Sequence, residues 1–173
     1  MSAAQLITLR QGIATQIGEW FPAADCATGP GRMTEAEIKT MAVRTPAIRV
    51  ACLGLPKAEA VGDGEVDRDV AFAAYILTTD KPRLPRDTAA LAMVEDLLLR
   101  LPGQRWETDS VHAIAESAAT AENLYSSKLG NTGVTLWAVV WTQTVRMGDN
   151  AYPNGPVLSA ELYAGGDEQG DAP

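Results

Sequence analysis

The chain is poor in the residues on which most side-chain chemistry depends. It has one histidine, His112, and two cysteines, Cys26 and Cys52. Two thiols cannot form a disulfide scaffold, and a chain of this size can build a core without one. They read as reduced, partly buried side chains. No Cys/His group has zinc spacing. Basic residues are also short: 14 Lys+Arg stand against 22 Asp+Glu, a net charge of −8. Phosphate neutralisation requires clustered Lys/Arg, so a basic nucleic-acid-binding footprint is excluded. No apolar run approaches the roughly 18 residues of a membrane span. No basic stretch leads into an apolar segment at the N-terminus, so no signal peptide is visible. The sequence reads as a soluble protein made in the cytoplasm.

What is present is apolar and unevenly charged. Of the 173 residues, 46% are hydrophobic, enough for one domain with a substantial core. Residues 149–173 carry five acids and no base, while residues 1–148 carry 17 acids and 14 bases. The reading is one α+β domain over 1–148, followed by an acidic Gly/Pro-containing arm over 149–173. The last part of that arm is expected to be disordered. Its segment Val157–Tyr163 keeps enough apolar character to dock.

Leu6, Leu9, Ile13, Ile17 and Trp20 step by three and four, the stripe of an amphipathic helix over 3–21. Pro22 and Gly29-Pro30-Gly31 then mark a loop. Thr34 and Glu37 have capping-box spacing, which predicts a short helix near 35–43. A strand is expected over 46–55, then an exposed, mobile hairpin loop to Asp69 that holds Glu59, Asp63, Glu65, Asp67 and Asp69. Residues 70–79 are apolar at nearly every position, as in a strand buried on both faces. Asp87 reads as the N-cap of a helix carrying Leu91, Val94, Leu98 and Leu101, stopped by Pro102-Gly103. A weaker strand is expected over 111–121 and the strongest over 134–147. In the latter, Trp137, Val139, Trp141 and Gln143 share one face.

The order α(α)-β-β-α-β-β predicts a four-stranded antiparallel or mixed sheet with helices packed on one face. The other face would be left apolar and open, which a monomer avoids and an oligomer uses. The expectation is that a neighbouring subunit covers it.

A catalytic set does not emerge. Either cysteine would have to use His112 as its base, and nothing local supports such a pair. Asp67 and Asp69 flank Arg68 in an acidic glycine-rich stretch and read as solvated charge; Glu95-Asp96 reads as the polar side of a helix. Gly29-Pro30-Gly31 lacks the Lys-Ser/Thr of a phosphate loop, and its proline removes a backbone donor. Gly130–Gly133 reads as a turn. Trp137 and Trp141 stand beside a single base, Arg146, too few for a nucleic-acid stacking platform. Core or interface packing suits them better. No enzyme, cofactor or metal site is expected.

Several stretches follow one another in a familiar order: Arg44-Thr45-Pro46-Ala47-Ile48-Arg49-Val50, the apolar strand 71–77, Arg86 ahead of a leucine-rich helix, Pro102-Gly103-Gln104-Arg105-Trp106, Asn123-Leu124-Tyr125-Ser126, and Leu136-Trp137-Ala138-Val139-Val140-Trp141-Thr142-Gln143. This series, spanning residues 44–147, resembles the tail-terminator family of Mu-like bacteriophages and prophages. The arm after residue 149 has no counterpart in it. The resemblance implies a virion protein of the tail and neck, assembled in the host cytoplasm. It would form a ring, typically of six subunits, that caps the tail tube, stops its polymerisation and meets the head connector (stopper) protein. DNA would pass through the lumen without specific binding. Expected contacts with a neighbouring subunit or the tube protein are Trp137, Val139, Trp141, Gln143, Asn123, Leu124 and Tyr125. Glu59, Asp63, Glu65, Asp67 and Asp69 are expected along the tail axis or facing the lumen, where acids would repel phosphate. The alternatives are another head-completion or connector ring protein, and a small ligand-binding or hydrolytic domain using His112.

Overall fold

The computed structural model describes residues 5–62, 64–124 and 133–151. Helix α1 (Gln5–Trp20) buries Leu9, Ile13, Ala14 and Ile17, the stripe expected from their spacing. It ends where Phe21 donates to the Ile17 carbonyl and Pro22 has no N–H to continue the ladder.

A short strand follows that periodicity does not reveal, β1 (Asp25–Thr28). It lies parallel to the start of β2 (Ala47–Ala60), with Asp25 opposite Ala47 and Thr28 opposite Val50. Arg49 holds it there: one guanidinium nitrogen donates to the Asp25 carbonyl at 2.6 Å and another to the Asp25 carboxylate at 2.6 Å. Between the two parallel strands runs α2 (Glu35–Ala42), whose capping box is formed as expected. Thr34 Oγ1 accepts from the Glu37 N–H, and the Glu37 carboxylate accepts from the Thr34 N–H at 2.7 Å.

β2 and β3 (Val66–Thr79) form one long antiparallel hairpin. Its strands continue through most of the stretch expected as a mobile loop, and only residues 61–65 lie between them. Gly62 and Gly64 take positive φ (92° and 93°), which a side chain would resist.

Helix α3 (Arg86–Arg100) begins one residue before the expected cap. Pro85 occupies the N-cap position without a side-chain bond, and the Asp80 carboxylate accepts from the Arg86 N–H at 2.9 Å. The buried stripe is Ala90, Val94, Leu97 and Leu101. Leu91, expected inside, is 49% exposed.

The remaining strands are β4 (Ala119–Asn123) and β5 (Val134–Met147). β4 covers the end of the segment expected as a strand, whereas Val111 makes only an isolated bridge to Val145. The sheet therefore has five strands rather than four, mixed, in the order β1-β2-β3-β5-β4.

The helices occupy both faces, not one. α1 and α3 cover the first face over Ile48, Val50, Phe72, Ile76, Val139 and Trp141. α2 sits on the second, where Ile38 and Met41 pack with Ala47, Ala51, Ala73, Tyr75 and Leu77. A crossover between parallel strands must leave the sheet plane, and α1 already fills the first side. Each large apolar side chain fully buried in these layers contributes roughly 1.5–3 kcal/mol. The arm from residue 152 onward, with Val157–Tyr163, lies outside the described residues.

Candidate interaction surfaces

The strict alternation of β5 divides the expected contact residues between two surroundings. On the first face Trp141 has no exposure and stacks on Phe72, with centroids 5.8 Å apart. Trp106 lies 6.2 Å from Trp141 and Trp20 lies 5.9 Å from Trp106, so aromatic rings run continuously from β5 to α1. Val139 is fully buried in the same layer, and Trp137 is half-buried against it.

Gln143, 2% exposed, pins the loop that follows α3. Its carbonyl accepts from Trp106 Nε1 at 2.7 Å, and its amide nitrogen donates to the carbonyls of Gln104 (2.9 Å) and His112 (2.6 Å). A buried amide of this kind is stable because every polar atom has a partner. Val139, Trp141 and Gln143 are thus enclosed by the chain's own helices and loop. Their side chains present nothing to a neighbour, contrary to the expectation for them.

The opposite face of the sheet carries a groove. α2 covers only the β2–β3 end of that face, and the groove, about 490 Å³, lies beside it. The floor is Leu53, Tyr75, Leu136, Ala138 and Val140, with Met33 and Leu124 at the sides and Arg32, Glu35 and Glu122 on the rim. Burial pushes the Tyr75 phenol above its ordinary value, with Arg32 opposing the rise. Asn123 is exposed at the end of β4; Leu124 is half-buried, its N–H donating to the Leu136 carbonyl at 2.9 Å. Tyr125 lies outside the described residues. Leu136, Ala138 and Val140 were not among the expected contact residues. Their signal was the second register of β5, which stays apolar although two helices already claim the first.

Towards the hairpin end the same face becomes polar. Asp67 receives two bonds from Arg146, at 2.8 and 2.9 Å, and His112 Nε2 lies 3.8 Å from its carboxylate. The hydrogen-bonded guanidinium holds the Asp67 carboxyl below the usual carboxylate range, with His112 adding a smaller pull. Asp69 accepts from Thr144 Oγ1 at 2.8 Å. Asp67 and Asp69 are therefore strand residues tied across the sheet. Glu59 sits exposed beside Lys57 (3.6 Å), and Glu65 is half-buried at the turn. Asp63 lies outside the described residues.

His112 contacts this carboxylate and not a cysteine. Cys26 donates its thiol hydrogen to the Ala14 carbonyl at 3.1 Å, and burial pushes its pKa up to about 11, far from a nucleophilic thiolate. Among the described residues no group of three or more His, Cys, Asp or Glu side chains is placed to hold a metal ion, and no helix is long and apolar enough to cross a membrane. No protein-family model matches the chain, and no curated protein is significantly similar to it.

Proposed function

We propose that this chain is a ring-forming structural protein of a phage tail, acting as a terminator that caps the tail tube, ends its polymerisation and joins the tail to the head connector. The observation that carries the reading is the half-covered second face of the sheet. A groove of about 490 Å³ opens over Leu53, Tyr75, Leu136, Ala138 and Val140, with Tyr75, Leu136 and Ala138 themselves buried at its floor and Leu53 and Val140 half-buried. Such a surface is characteristic of a chain completed by association. The ordered stretches between residues 44 and 147, which resemble Mu-like tail terminators, supply the kind of assembly. In this reading the neighbouring subunit or the tube protein fills the groove, and no covalent chemistry takes place.

Electrostatics would then serve passage and not retention. Asp67 is paired with Arg146 and Asp69 accepts from Thr144, and the net negative charge of the chain would repel the phosphates of DNA moving along the axis.

The test is the mass of the purified protein in solution, alone and mixed with the cognate tail-tube protein. Assembly into a closed ring, by itself or on tube ends, with arrest of tube growth, is the expected result. A monomer indifferent to tubes overturns the reading.

A further inference from the structure

The two ends of the hairpin differ in charge and in shape. Counting residues 57–69 together with 146–149, the turn end has six acids and three bases. Arg44 and residues 80–87, at the other end of β3, contribute four bases and two acids. Fourteen residues of β3 separate the two, about 43 Å at ~3.3 Å per residue.

At the turn end the backbone is closely packed. The Val61 N–H donates to the Glu65 carbonyl at 3.1 Å, closing the turn. The backbone after β5 presses against it: a Cβ on Gly148 would lie 2.9 Å from the Gly64 carbonyl oxygen, and one on Gly64 would lie 3.0 Å from that of Asp149. On this tip Val61 is 39% exposed, two residues after Glu59 and bonded through its N–H to Glu65. The opposite end is concave. A cavity of about 360 Å³ opens between α3 and the ends of β2 and β3, lined by Pro46, Leu84, Ala89, Ala92 and Met93. Lys81 is part of its wall, and Arg44 and Arg83 are exposed next to it in sequence.

An apolar knob ringed by acids and an apolar socket edged by bases are complementary, and they lie at opposite ends of one chain. We propose that the hairpin tip of one copy seats Val61 in the α3 socket of a second copy, with Glu59 and Glu65 facing Lys81 and Arg83. Because the two surfaces differ, the contact is heterologous: each copy offers both halves, and repetition closes a ring or extends a filament. The braced turn reduces the ordering cost of docking. This contact rests on the ring reading and supplies its subunit joint.

The experiment uses two single variants of the full chain at exposed positions. Val61→Asp places a charge on the knob, and Ala92→Trp fills the socket. Native mass spectrometry and sedimentation are run on each, with unfolding midpoints as a check that both fold. The wild type is expected to assemble, and more weakly by several-fold as salt rises from about 0.05 to 0.5 M. Each variant alone should lose self-association by at least about tenfold, or ~1.4 kcal/mol. Their mixture should give a one-to-one heterodimer, since one intact tip and one intact socket remain. Folded variants that assemble like the wild type overturn this contact and leave the ring reading standing. So does a mixture that stays monomeric. A wild type that remains monomeric alone and with tube protein overturns the ring reading and the contact together.

Discussion

The two faces of the sheet are built from the same three long strands and reach opposite ends. On one, Trp141, Phe72, Trp106 and Gln143 meet a layer of helix and loop that encloses them, while Trp137 stays half-buried at its edge. On the other, α2 is only eight residues long, and a groove beside it is lined by the buried Leu136 and Ala138 and the half-buried Val140. The difference lies in the length of the covering helices and not in the strands, since β5 is apolar on both registers. An apolar register beside a short covering helix is the feature on which the proposed association rests.

The comparison breaks first at its closed side. Trp141→Ala removes the ring that joins Phe72 to Trp106, and is expected to cost about 3–5 kcal/mol in chemical denaturation. Gln143→Leu keeps the volume and deletes three bonds, stranding Trp106 Nε1 and the His112 carbonyl, while the Gln104 carbonyl keeps the Ile114 N–H. A loss of about 2–3 kcal/mol is expected, read in the same assay.

On the open side the pattern inverts. Val140→Ser should change monomer stability by less than about 1 kcal/mol, while ring formation, followed by sedimentation, falls sharply. Equal losses of stability and assembly would erase the distinction between the faces. The smallest effect belongs to the polar end of that face. Asp67 has a folded pKa below its ordinary value of 3.8. Its contribution is therefore complete above that value and is lost as pH falls below it, through the lower folded pKa. Asp67→Asn should weaken the acid sensitivity of the unfolding midpoint below about pH 4, by under ~1 kcal/mol for a partly exposed pair.

Long periodic elements were legible from the sequence. The α1 stripe, the alternation of β5 and the capping box of α2 all follow from local spacing, and the structure keeps them. The losses have distinct physical causes. β1 is four residues between Pro22 and Gly29, too short to show a period, and it is held by Arg49, 24 residues after its partner Asp25. The start of α3 is capped by Asp80 from six residues upstream, a geometry that no capping pattern describes. Leu91 and Ala90 exchange roles because the stripe follows the sheet beneath α3, and an alanine fits where the helix approaches it closely.

The expected contact residues were sorted by burial and not by type. Tryptophan attracts attention as an interface residue, yet here it fills the core, and smaller neighbours in the alternate register line the groove. The acids of the hairpin were read as a free loop because Arg146, the partner of Asp67, lies 79 residues away in sequence.

The strand order carries a consequence for how the chain is made. β5, the last strand among the described residues, is inserted between β3 and β4. While a ribosome delivers the chain from its N-terminus, β3 exposes an entire flank and β4 has no strand to join. The sheet closes with its final piece, after all three helices exist. Until then the nascent chain carries a long unsatisfied strand margin, the kind of feature that draws chaperones or aggregates. A truncation inside residues 134–147 would therefore yield an adhesive fragment, not a smaller working protein, and its expression as insoluble material would reveal the dependence.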